Sequence, residues 1–104
     1  MTQSNPTRIR HTVVFKLKHA NGSTGEQAFL NAAKKLSAIA GVEKFECLKQ
    51  VGKKNNFEFG LSMEFADQDA YDHYNNHPEH LAFVQRIWLN EVEDFMEIDY
   101  VAMQ

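Results

Sequence analysis

With 104 residues, the chain has room for one domain and no second core. Apolar residues at 43% and charged residues at 24% exclude a disordered chain, and a formal charge of −3 excludes the basic face that general nucleic-acid binding needs. The single cysteine, Cys47, excludes an internal disulfide, and no stretch reaches the ~20 apolar residues of a membrane-spanning helix.

The opening Met1–Pro6 is polar and lacks the apolar core of a signal peptide. A soluble, cytoplasmic protein is expected, with a disordered segment over 1–7 and one domain over 8–104. From Arg8 to Lys18 the side chains alternate, placing Ile9, His11, Val13, Phe15 and Leu17 on the dry face of a strand. Asn21-Gly22-Ser23 is a turn, and Ser23 with Glu26 has capping-box spacing for the helix that follows. Phe29, Ala32, Ala33, Leu36 and Ile39 form one buried helical stripe through about Ala40, and Gly41 stops it.

Val42 to Val51 reads as a second strand, although Lys49 interrupts the face carrying Phe45, Cys47 and Val51. Gly52–Asn56 is a polar connection, and Phe57 to Phe65 alternates cleanly as a third strand. Asp67 caps a short helix bearing Ala70, Tyr71 and Tyr74, and Pro78 opens a second helix after the break at Asn75–His77. In that helix Leu81, Val84, Trp88 and Val92 line up, with His80, Phe83 and Ile87 beside them. Phe95 to Ala102 is a last strand. The order predicts an α+β, ferredoxin-like βαββαβ fold: a four-stranded antiparallel sheet with helices on one face. Its uncovered face suits pairing with a second copy.

Chemistry centres on His11, on the block His73-Tyr74-Asn75-Asn76-His77-Pro78-Glu79-His80, and on Glu97. His80 lies three, four and seven residues before Phe83, Val84 and Ile87, so it points along an apolar stripe toward the sheet. Tyr74 lies on the apolar side of its own helix. If the helices cover the face bearing His11, then His11, Tyr74 and His80 converge between the layers. There the histidines are either hydrogen-bonded core groups or groups that move a proton near neutral pH, with the tyrosine orienting one or holding an oxyanion. Glu97 shares the parity of Phe95; it either pairs with a pocket histidine or stays an ordinary exposed side chain. His77 has a structural reading as a helix cap, His73 faces solvent, and His19 carries no specific signal. Pro78 breaks the spacing of His73, His77 and His80, so no metal site is expected. Cys47 reads as a buried structural thiol.

Three separated pieces, Arg10-His11-Thr12-Val13-Val14-Phe15-Lys16-Leu17-Lys18, Tyr74 through His80, and Ile98-Asp99-Tyr100, resemble the stress-responsive A/B-barrel (Dabb) family over about residues 8–102. The resemblance implies a homodimer, a dimeric α/β barrel in which two sheets meet and the helices lie outside. Among the family's polyketide cyclases, which need no metal or organic cofactor, a histidine matching His80 is the general base and a tyrosine matching Tyr74 holds it. The resemblance further places His11 and His77 at the substrate and Phe29, Leu61, Met63 and Phe83 on the pocket wall. Phe59 stands where those cyclases carry a histidine, Ala33 where they carry a tyrosine, and Asn75 where they carry an aliphatic residue. The implied activities are a cofactor-independent acid/base reaction on a small carbonyl or polyketide-like compound, of cyclase or lyase type, or a non-catalytic ligand-binding barrel. Related barrels add a third, cofactor-free monooxygenation or haem handling. The expected partners are a second copy and a small molecule, not nucleic acid or membrane.

Overall fold

The computed structural model describes residues 7–103. Alternation makes β1 (Ile9–Leu17) a strand whose odd-numbered side chains are all buried. It lies at the centre of an antiparallel sheet, between β3 (Phe59–Phe65) and β4 (Val92–Val101), with β2 (Glu43–Lys49) outside β3. This is the ferredoxin-like arrangement that the element order predicts. The expected disordered stretch 1–7 lies outside the described residues except for Thr7, whose hydroxyl donates to the Ala66 carbonyl at 3.1 Å.

Helix α1 (Thr24–Lys34) starts where Ser23 Oγ accepts the Glu26 amide at 3.2 Å. The Glu26 carboxylate returns to the Gly22 amide at 2.5 Å rather than to Ser23, a capping box stretched by one residue. A 3₁₀ turn (Lys35–Ala38) tightens the end, and Gly41 turns the chain at φ 94°, which favours glycine. Phe29, Ala33, Leu36 and Ile39 are buried against the sheet. Phe29 sits among Phe15, Phe83 and Trp88 with ring centroids 5.6–6.0 Å away, forming the core's aromatic centre.

Asp67 Oδ1 accepts the Ala70 amide at 2.9 Å and opens α2 (Gln68–Asn76). The chain breaks at His77 and restarts with Pro78 as α3 (Pro78–Phe83), then passes through a π turn (Val84–Trp88) into the short α4 (Leu89–Glu91). The π turn changes the buried stripe. Phe83 and Trp88, five residues apart, share the buried face, whereas Leu81, expected there, is 43% exposed. The helix also ends sooner than its apolar pattern suggests. Val92 leaves in an extended conformation and pairs with Leu17, so the last strand begins there rather than at Phe95. The second strand is shorter than its apolar pattern suggests: pairing covers Glu43–Lys49, Val51 lies beyond it and is 93% exposed, and a bulge where Lys44 adopts φ 49° shifts the register between Glu43 and Glu46.

Among the described residues, no helix covers the other face of the sheet. Leu48, Met96, Ile98 and Tyr100 are exposed, while Glu64 is buried beneath Arg8 at 2.7 Å and Arg10 at 2.9 Å. Those two guanidiniums hold its carboxyl below the usual range. Among the described residues, no helix is long and apolar enough to cross a membrane.

Candidate functional site

The β1–β4 register sets His11 opposite Asp99, so both side chains rise from the helix-covered face. His11 is 5% exposed and needs a partner there. Its Nδ1 lies 2.6 Å from Asp99 Oδ1. The Tyr71 hydroxyl, arriving from α2, donates to Asp99 Oδ2 at 2.8 Å and lies 2.9 Å from the same Nδ1. A carboxylate only accepts, so the network assigns the imidazole proton to Nδ1 and leaves Nε2 as the acceptor. Burial, then the neighbouring Asp99, push the Tyr71 hydroxyl well above its ordinary pKa. Sequence reasoning gave neither Tyr71 nor Asp99 a role. Two signals could have found Asp99: its shared parity with Phe95 and Glu97, and the need of a buried histidine for a partner.

His80 is held differently. The break at His77 lets α3 fold back over the end of α2, and His80 Nδ1 donates to the Asn75 carbonyl at 3.1 Å. Its Nε2 is then the lone-pair nitrogen. The ring lies against Tyr74, with centroids 4.4 Å apart and planes at 44°, and Tyr74 in turn is 6.3 Å from the His11 ring. Burial lowers the His80 pKa below its ordinary 6.5, the bond to Asn75 partly opposing and the nearby His11 reinforcing the shift. Tyr74 is buried, and burial followed by the Glu97 carboxylate raises its pKa well above 10. Its hydroxyl therefore stays a hydrogen-bond donor at any working pH, and it makes no hydrogen bond within the chain among the described residues.

These groups meet at a cavity of about 250 Å³ between sheet and helices. His11, Tyr74, His80, Leu61, Met63 and Phe83 line it, joined by Val13, Leu36, Val84 and Trp88. Exposed Leu89, Phe95 and Glu97 form its rim at the β4 edge. Glu97 thus both faces the cavity and remains exposed, because β4 is an edge strand. The π turn supplies Val84 and Trp88, which brings an irregular helix segment to the cavity wall.

Two residues expected on the substrate side do not line this cavity. Phe29 lies behind Phe83 and Trp88, packed into the core. His77 caps α3, its Nδ1 accepting the Glu79 amide at 3.1 Å. Phe59, where the cyclases carry a histidine, packs on Phe15 at 5.7 Å and stays out of the cavity. His73 stands edge-on to His77 at 5.7 Å, and His19 Nε2 meets Glu91 at 2.6 Å. Burial pushes the Cys47 thiol up, which disfavours its thiolate. Among the described residues, no group of three or more His, Cys, Asp or Glu is placed to hold a metal ion.

The family model for the Stress responsive A/B Barrel Domain, Dabb, matches residues 9–102. The chain belongs to the Dabb family. A Dabb family protein of ferredoxin-like fold from Mesorhizobium loti superposes with a TM-score of 0.93 at 58% identity, covering 94% of this chain and 99% of its own. More distant chains share the fold. A dimeric ferredoxin-like protein of unknown function from Thermobifida fusca has a TM-score of 0.78 at 20% identity, with 96% and 95% of the two chains covered. The hydroxynitrile lyase of Passiflora edulis has a TM-score of 0.82 at 15% identity, with 95% and 96% covered. No curated protein matches this Dabb sequence.

Proposed function

We propose that this Dabb domain is a cofactor-independent acid/base catalyst acting on a small carbonyl compound. One observation carries the reading: His80 donates its Nδ1 proton to the Asn75 carbonyl, which leaves Nε2 the lone-pair nitrogen of a ring that lines the cavity against Tyr74. In the proposed step Nε2 takes the proton from the carbon next to the carbonyl. The C–H electron pair becomes the enolate double bond, and the negative charge moves to the oxygen, which accepts a hydrogen bond from Tyr74. Return of the proton from His80 to the same carbon, or to a leaving group in a lyase- or cyclase-type reaction, closes the cycle. His11, its orientation fixed by Asp99 and Tyr71, presents Nε2 as a second acceptor for a substrate hydroxyl.

The test is α-proton exchange of acetophenone in D₂O, followed by NMR with wild type and His80→Gln at matched concentration. Exchange above buffer that disappears in His80→Gln supports the reading; equal exchange by a folded variant overturns it. A binding-only barrel is the second reading, and the closed hydrogen bonding of His11 by Asp99 and Tyr71 favours it for that residue. It predicts ligand retention with no exchange. For the assembly we propose a homodimer through the helix-free sheet face, supported by the exposed Leu48, Met96, Ile98 and Tyr100 and by the dimeric Thermobifida fusca relative. A reduced, cytoplasmic setting suits its single thiol, Cys47, which is half-buried rather than buried as expected.

A further inference from the structure

We infer that the cavity selects uncharged ligands of about one aromatic ring with a short polar substituent, and that Glu97 at its mouth turns anions away. The inference deepens the acid/base reading by naming the substrate class of the same site, and it rests on that cavity being where ligands bind.

Size comes first. An apolar cavity of ~150 Å³ takes a benzene ring, and pockets for drug-sized ligands begin near 300 Å³. At about 250 Å³, this one holds a single ring with a few more atoms. Its polar groups gather on one side. His11, Tyr74 and His80 offer a hydroxyl donor and two ring nitrogens, while Leu61, Met63, Phe83 and Trp88 give the ring an apolar bed.

Charge decides the class. Among the described residues no lysine or arginine lines the cavity, and positions 1–6 and 104 hold none either. Among the described residues, the one acidic side chain on the wall is Glu97. A second carboxylate, Asp99, stands 2.6 Å from His11 Nδ1, so the His11 ring offers an anion no unopposed positive charge. A carboxylate ligand entering here would leave water without gaining a cation and would meet Glu97 on the way in. A neutral ketone, alcohol or phenol loses little solvation and finds donors and acceptors in place.

The experiment compares acetophenone and benzoate, matched in size, by ligand-observed NMR titration of the full chain at pH 7.5. Acetophenone is expected to bind about tenfold tighter than benzoate or better, and Glu97→Gln is expected to narrow that ratio several-fold by admitting benzoate. Benzoate binding as tightly as acetophenone, an unchanged ratio in Glu97→Gln, or no binding of either probe would each overturn the inference. Acetophenone also reports on catalysis through its α-proton exchange. Selective binding with exchange that ignores His80 would leave the selectivity standing and remove the acid/base reading. His80-dependent exchange together with equal benzoate binding would do the reverse.

Discussion

Tyr71 and Tyr74 lie one turn apart on the same helix, both buried, and loss of the hydroxyl should have opposite consequences at the two positions. Tyr71→Phe removes the donor to Asp99 at 2.8 Å and the contact to His11 at 2.9 Å. A hydrogen bond to a charged group contributes roughly 1.5–3 kcal/mol, and the Asp99 side chain, 40% exposed, reduces that through solvent screening. A loss of about 1–2 kcal/mol is expected, equivalent to roughly 5–15 °C in Tm for a domain of this size. Tyr74→Phe removes a hydroxyl with no hydrogen-bond partner among the described residues, so stability should change by less than about 1 kcal/mol, toward stabilisation if at all. Thermal unfolding followed by circular dichroism would measure both at one protein concentration, because the proposed homodimer would make Tm concentration-dependent. Acetophenone exchange should follow the reverse order, falling sharply in Tyr74→Phe and less in Tyr71→Phe. Equal destabilisation by the two substitutions would refute the claim that the Tyr74 hydroxyl is held in reserve for a ligand.

Other outcomes follow from the same geometry. Phe29→Ala should cost about 3–5 kcal/mol, since the ring is 1% exposed at the aromatic centre; a urea midpoint near wild type would show the core is not organised around it. Glu64 has a folded-state pKa below its unfolded value, so its contribution is present above about pH 4.5 and is lost as pH falls through the depressed folded value. Urea midpoints between pH 3 and 6 should therefore depend less on pH in Glu64→Gln, and an unaltered slope would contradict the ion-pair account. His80 is also depressed, so the unfolded chain binds the extra proton first and stability declines as pH drops below 6.5. The acid limb of the exchange rate should likewise fall below 6.5; a limb above that value would point to a different base.

How much was legible beforehand depended on whether local chemistry and tertiary structure agreed. The alternation of β1 and β3 has one interpretation, and Ser23, Asp67 and Pro78 mark helix starts by satisfying or lacking particular backbone donors. His11, Tyr74 and His80 each sit on a dry stripe, so layering the helices on the sheet brings them to one cavity. Other features leave no such trace. A π turn has no composition of its own, so the burial of Trp88 could be read from spacing but the exposure of Leu81 could not. Val92 fits both a helical stripe and a strand, and only pairing with Leu17 decides between them. Asp99 and Tyr71 were hidden for a related reason. Neither breaks its local pattern enough to announce that the two meet across the β1–β4 register and the helix layer.

The most direct measurement is ¹⁵N NMR of the histidine rings across pH, with and without acetophenone. The account predicts that His80 holds its neutral proton on Nδ1, titrates below 6.5, and shifts at Nε2 when the ketone is added. A proton on Nε2, or titration at or above 6.5 with no response to ligand, would contradict a cavity-facing base and leave His80 a structural residue.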